Sequence, residues 1–302
     1  MADPNAGVML NTIIPGVKTG QIFYVNSSGY GPDGMATPSD AADGLSPLTP
    51  MATIAAAMDK CSDYAGDTII VMPGYTQTVT TPLLIDVIGV TVIGVGSGTY
   101  TPKITVNGAV DCVSITAAGA TLDNFDLRII TTDAATALLN IDAAGVTVRN
   151  IKGIGSVGAV NVVDCVTVTA NASDLLIDGV MLWNSVVAVN SFLSLEGAAS
   201  RVQIRNFRAF GDCATAGIID AAKVDYLWLE NVTVATVGTS IPAATLDSNP
   251  EGCAVNCCFA GTHTTLATNA ALGNLMRIFL TRVTEETDGS KQGAFIPAED
   301  AD

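Results

Sequence analysis

Apolar and polar residues alternate in short bursts along the chain, and one burst recurs. It runs apolar, any, apolar, any, then Asn, Asp or Gly, then apolar, as in VTVIGV, ATLDNF, VTVRNI, LLIDGV, VQIRNF, LWLENV and CAVNCC. The polar or glycine position falls at Gly94, Asn124, Asn150, Asp178, Asn206, Asn231 and Asn256, at intervals of 30, 26, 28, 28, 25 and 25 residues. Alternation with period two is a strand signal. The intervals are too short for strand–helix–strand units, and the stretches between are β-branched and Gly/Ala-rich. Most coils carry a second strand: CVSITAA, ALLNIDA, CVTVTA, FLSLEG, AATLDS. Short strands repeated coil after coil predict an all-β fold, a single-stranded right-handed parallel β-helix.

Equivalent residues of stacked coils lie about 4.8 Å apart, and the alternation sorts them by face. The column two residues before the turn, Val92, Leu122, Val148, Leu176, Ile204, Leu229 and Ala254, is apolar and expected inward. The column just after it, Val95, Phe125, Ile151, Gly179, Phe207, Val232 and Cys257, is also expected inward. Between them the chain turns sharply, which Asn, Asp and Gly tolerate through left-handed backbone angles. Stacked Asn amides can also hydrogen-bond along their column. The outward column before the turn reads Ile93, Asp123, Arg149, Ile177, Arg205, Glu230 and Val255, setting Asp123 beside Arg149 and Arg205 beside Glu230. Two residues after the turn, Asp126 falls beside Lys152. Opposite charges on adjacent strands stabilise by about 0.2–1 kcal/mol.

Open solenoid ends would add strands without limit, so caps are expected. Residues 49–63 predict an N-terminal capping helix: Thr49 as N-cap, Pro50 in the first turn, and an apolar stripe of Ile54, Ala57, Met58 and Cys61. The expected organisation is an N-terminal arm (1–20), a loop and capping helix (21–64), the β-helix (65–270), and a C-terminal strand and acidic tail (271–302).

Composition narrows the function classes. With 49% hydrophobic and 14% charged residues, the chain buries much and solvates little. A net charge of −16 repels phosphate backbones and argues against nucleic-acid partners. No apolar run reaches membrane-spanning length, and the N-terminus lacks a signal-peptide pattern, so synthesis in a host cytoplasm and no membrane partner are expected. Seven scattered cysteines, an odd count, fit buried reduced thiols.

The stretch FYVNSSGYGPDG…DGLSPLTPMATIAAAMDKCSDYAGDTIIVMPGYTQTV (23–79) resembles the N-terminal signature of the right-handed parallel β-helix (pectate-lyase-like) superfamily. Tyr24-Val25, Asp43-Gly44, Pro47, Thr49-Pro50, Ala52 to Ile54, Gly66 to Ile69, Val71 and Pro73 to Tyr75 carry the resemblance. That group includes pectate-lyase-like enzymes, phage tailspikes and virion decoration proteins. Compact members without a secretion signal resemble phage cement or decoration proteins. For this chain the resemblance implies a homotrimer on the capsid surface of a virion, with the major capsid protein as partner. The alternative is a tailspike-like polysaccharide-degrading enzyme or a glycan-binding adhesin.

Catalytic chemistry on this fold needs paired carboxylates or a cation site with a basic partner. Asp123 and Asp126 form the best outward pair, but each has a cation in the next coil, which reads as an ion-paired exterior. The motifs Asn-Thr-Asp, Asp-Asp, Gly-His-Gly and Arg-Ile-Lys of polygalacturonase-like members are absent, so no catalytic residues and no cofactor are assigned. His263, the one histidine, has only threonines nearby. Cys253 and Cys258 point outward and Cys257 inward, which cannot close one tetrahedral metal site. Asp33, Asp40 and Asp43 read as solvated turn residues. Outward apolar residues on a rigid face mark an interface more often than a sugar platform. The candidate interface is Ile93, Leu175, Ile177, Trp183, Trp228 and Val255.

Overall fold

The computed structural model describes residues 20–27, 31–130, 135–157, 160–184, 189–238, 240–246, 250–262, 270–272, 276–284 and 292–294. They form a parallel β-solenoid with almost no helix. Each coil contributes one short strand to each of three sheets, which run along the molecule. Sheet A stacks strands from Ile22–Val25 to Met276–Phe279. Sheet B runs from Thr76–Val79 to Arg282–Thr284, where Gln292–Ala294 pairs antiparallel. Sheet C runs from Leu83–Ile85 to Ala270–Ala271.

The core is a set of inward columns. In sheet A these are Val92, Leu122, Val148, Ile177, Ile204, Leu229 and Ala254, each buried. Around the corner follow Phe125, Ile151, Val180, Phe207, Val232 and Cys257, also buried. Sheet C closes the interior with Leu139, Val166 and Leu193 in one column and Ile141, Val168 and Leu195 in another.

One coil differs from the expected register. Ile177, not Leu176, pairs with Val148 and Ile204. Gly179 takes the turn with φ of +72°, and Asp178 stands in the outward column between Arg149 and Arg205. Both residues suit a tight corner, so turn chemistry alone does not choose between them. Burial does: strand period is two, and a one-residue slip would expel Ile177 from the core. Leu175 and Ile177 are therefore buried and leave the candidate interface, and Leu176 takes the outward place beside Gln203.

Gly94 also differs. It lies in an extended strand, and the left-handed angle falls on Gly96. A Cβ on Gly94 would stand 2.1 Å from the Asn124 carbonyl oxygen, so close stacking demands glycine there.

The capping helix is shorter than expected, Ile54–Met58, with Thr53 as N-cap. Thr49 and Pro50 are outside it because the chain there lies along the first strand. Met51 donates to the Tyr24 carbonyl, and Asn26 donates to the Met51 carbonyl. That pairing covers the N-terminal edge of sheet A. Ile54, Ala57 and Met58 plug the interior beneath it. At the far end, Met276–Phe279 and Arg282–Thr284 continue sheets A and B, so the solenoid extends past residue 270. His263, residues 1–19 of the arm and all of the acidic tail except 292–294 lie outside the described residues.

Candidate functional site

Three outer faces differ in chemistry. On sheet A the column before the turn reads Ile93, Asp123, Arg149, Asp178, Arg205, Glu230 and Val255. Signs alternate over five coils, with apolar residues at either end. The Arg205 Nε to Glu230 Oε2 distance is 3.3 Å. Asp123 accepts from Asn150 Nδ2 at 2.8 Å, and Asp178 from Asn206 Nδ2 at 2.7 Å. The amide ladder continues from Asn231 to Asn206 at 3.2 Å and from Asn256 to Asn231 at 2.6 Å. A polar groove of about 490 Å³ follows this ladder, flanked by Arg208 and Arg282. Trp228 is 40% exposed on the same sheet and donates to Glu230 at 3.3 Å. Ile93 and Val255 are half-buried.

Sheet B carries the larger apolar stripe. Ile154, Trp183 and Phe210 occupy one outward column in three successive coils, and exposed Met181 stands beside Trp183. Trp183 and Trp228 thus lie on different sheets, so the expected interface residues do not form one patch. Ile154, Met181 and Phe210 were not singled out in the sequence. The signal was available four residues after each turn, a position the shorter recurring burst does not reach.

The two expected acids stand on different sheets with separate partners, Asp123 on sheet A accepting from Asn150 and Asp126 on sheet B. Asp126 is buried and held by Arg128 through Nε at 3.0 Å and Nη2 at 2.6 Å. Lys152 pairs with Asp126 in register only. A different carboxyl group gathers near sheet C. Asp164 is buried and accepts from Ser191 Oγ at 2.6 Å and Asn190 Nδ2 at 3.0 Å. Asp111 accepts from Asn140 Nδ2 at 3.0 Å, and burial pushes its pKa up. Partial burial, then Asp164 and Asp111, push the Glu196 carboxyl up as well. Asp-Cys recurs in the sequence at 111–112, 164–165 and 212–213, and the first two of these acids join this grouping.

The cysteines are free thiols. Cys257 is buried, while Cys253 and Cys258 are half-buried, in the expected directions. Burial raises Cys61 and Cys112 to about 12 and Cys257 to about 11, with Cys165 and Cys213 also raised. Such thiols are poor nucleophiles and ligands at neutral pH. Two loop acids have structural work. Asp40 accepts from the backbone of Ala52 and Thr53, and Asp43 from Leu45 N and Thr49 Oγ1. Among the described residues, no three His, Cys, Asp or Glu side chains converge on a cation-sized site. No helix among them is long and apolar enough to cross a membrane. No family model matches the chain, and no curated protein or solved structure is significantly similar to it.

Proposed function

We propose that this chain is a non-enzymatic structural protein of a phage virion, a cement or decoration protein that binds the head exterior as a homotrimer and stabilises it through the major capsid protein. The observation that carries the reading is the outward Ile154–Trp183–Phe210 stripe, half-buried at Ile154 and Trp183 and exposed at Phe210, with exposed Met181 beside it. Aromatic and Met side chains held on a rigid sheet suit burial against protein, where such residues concentrate binding energy. A solenoid resists deformation along its length, and added non-covalent area across capsomer seams would strengthen a shell without chemistry. The resemblance over residues 23–79 is to a group that includes virion decoration proteins beside lyases and tailspikes, so it bears on the fold more than on the function.

Immunogold electron microscopy on particles from the source of the chain tests this. Gold spread over heads supports the cement reading. Gold at the tail tip alone, or on no particle, removes it. One observation favours a tailspike-like enzyme as second reading: partial burial, and then Asp164 and Asp111, raise the proton affinity of Glu196, the direction a general acid needs. Oligosaccharide release from host glycans, lost in Glu196→Gln, would establish that instead.

A further inference from the structure

Although the chain carries a net charge of −16, its cations are not scattered. In sheet B, Lys103, Lys152 and Arg208 share one outward column and recur in every second coil, separated by Asp126 and Met181. The intervening Asp126 is already held by Arg128. Among the described residues, none of the three cations has a carboxylate partner. The strands of sheet C contain no Lys or Arg. At their ends a single outward column holds Asp86, Asp142 and Glu196, again in every second coil, with Thr116 and Thr169 between.

The two columns match in period. Two coils advance about 9.6 Å along the solenoid, twice the strand spacing. Lys103, Lys152 and Arg208 on one face and Asp86, Asp142 and Glu196 on another therefore share the same repeat over these coils, and Arg282 continues the cationic column three coils past Arg208. In chain order they alternate, Asp86, Lys103, Asp142, Lys152, Glu196, Arg208. Each acid thus lies one coil, about 4.8 Å, from the next base along the axis, an offset that Lys and Arg side chains span. The cationic column runs beside the Ile154–Trp183–Phe210 stripe, an apolar centre with a charged rim. On sheet C the column inside these acids reads Leu84, Ser114, Asn140, Thr167 and Ser194, exposed at Leu84 and buried at Ser114, Thr167 and Ser194. Partial burial raises the proton affinity of Glu196 first, and the neighbouring Asp164 and Asp111 raise it further.

We propose that sheet B of one copy docks side by side on sheet C of the next, coils parallel, so that Lys103, Lys152 and Arg208 meet Asp86, Asp142 and Glu196 of a second copy. Two different faces on one chain make a heterologous contact, which closes into a ring when the rotation allows. The small axial offset favours closure around an axis parallel to the solenoid over a steep filament. This inference rests on the homotrimer reading above and names its interface.

Charge reversal tests it on the full chain by sedimentation velocity and native mass spectrometry. Asp86, Lys152, Glu196 and Arg208 are exposed, so reversal leaves the core intact, which circular dichroism and thermal melts verify. Lys152→Glu with Arg208→Glu is expected to weaken association about tenfold or more. Asp86→Lys with Glu196→Lys is expected to do the same. The quadruple variant, with both faces reversed, is expected to restore the oligomer. A wild-type monomer would overturn both the trimer reading and this interface. An oligomer that survives either reversal, or a quadruple variant that stays dissociated, overturns the interface and leaves the trimer reading standing.

Discussion

Asn124, Asn150, Asn206, Asn231 and Asn256 hold backbone φ between +49° and +63°, and Gly179 holds +72°. Side chains with a Cβ lose about 1–2 kcal/mol in that region, less for Asn. A Cβ on Gly179 would also stand 3.0 Å from Asn150 Oδ1. Gly179→Ala is therefore expected to cost about 2 kcal/mol in urea-denaturation midpoints. Asp178→Ala, at a half-exposed outward site, is expected to cost under about 1 kcal/mol. Equal costs would place the turn at Asp178. A second residue-scale prediction concerns Cys112, whose thiol burial raises from 9.0 to about 12. The native state retains a proton that the unfolded chain releases above about 9. Stability is accordingly held at and below pH 8 and falls as pH rises toward 12. Urea midpoints from pH 8 to 10 are expected to fall less steeply in Cys112→Ala.

At the scale of the element, the N-terminal cap depends on a polar clasp rather than on helix length. Five residues, Ile54–Met58, are too few to be stable alone. Asp40 Oδ1 holds Ala52 N, Thr53 N and Thr53 Oγ1 at 3.1, 2.8 and 3.1 Å, while Thr53 Oγ1 accepts from Ala56 N. Asp40→Ala removes three accepted bonds and is expected to cost about 1–2 kcal/mol. It should also loosen the covering of the first strand. Hydrogen exchange at Tyr24 and Asn26, whose amides bond to the Gly44 and Met51 carbonyls, would report that loosening. Unchanged exchange there would mean that the edge is held by packing of Met51 alone.

Across the whole molecule, stability is close to a sum over coils and their neighbours, as in other solenoids. Phe207 fills the corner between sheets A and B and is fully buried. Phe207→Ala should cost about 3–5 kcal/mol. In such an array the loss is expected to be felt beyond one coil, as a broadened or two-step unfolding transition. A single sharp transition with unchanged cooperativity would contradict the nearest-neighbour description. Surface ion pairs such as Arg205–Glu230 contribute little to that sum. Their alternation more plainly keeps the exposed strands of sheet A in register and soluble.

The repeat, the inward columns and the turn residues were legible from the amino-acid order, because strand period and turn chemistry are local. Seven of the coils could be numbered, and the pairing of Arg205 with Glu230 follows from the spacing alone. The cap was legible as a helix but not in its limits, since the competing partner of Thr49 to Met51 is a strand some 25 residues earlier in the chain. The 175–179 coil was ambiguous because Asp178 and Gly179 both suit a corner, and only packing of Ile177 in the shared core resolves it. The expected acid pair dissolved for a similar reason: Arg128, two residues away on the same face, reaches Asp126 before Lys152 does. The amino-acid order by itself determined that this protein winds into stacked coils with an apolar interior. The tertiary structure decided the register of the 175–179 coil and which outward apolar residues gather on one face, because corners between coils vary in length and packing in the shared core sets the register.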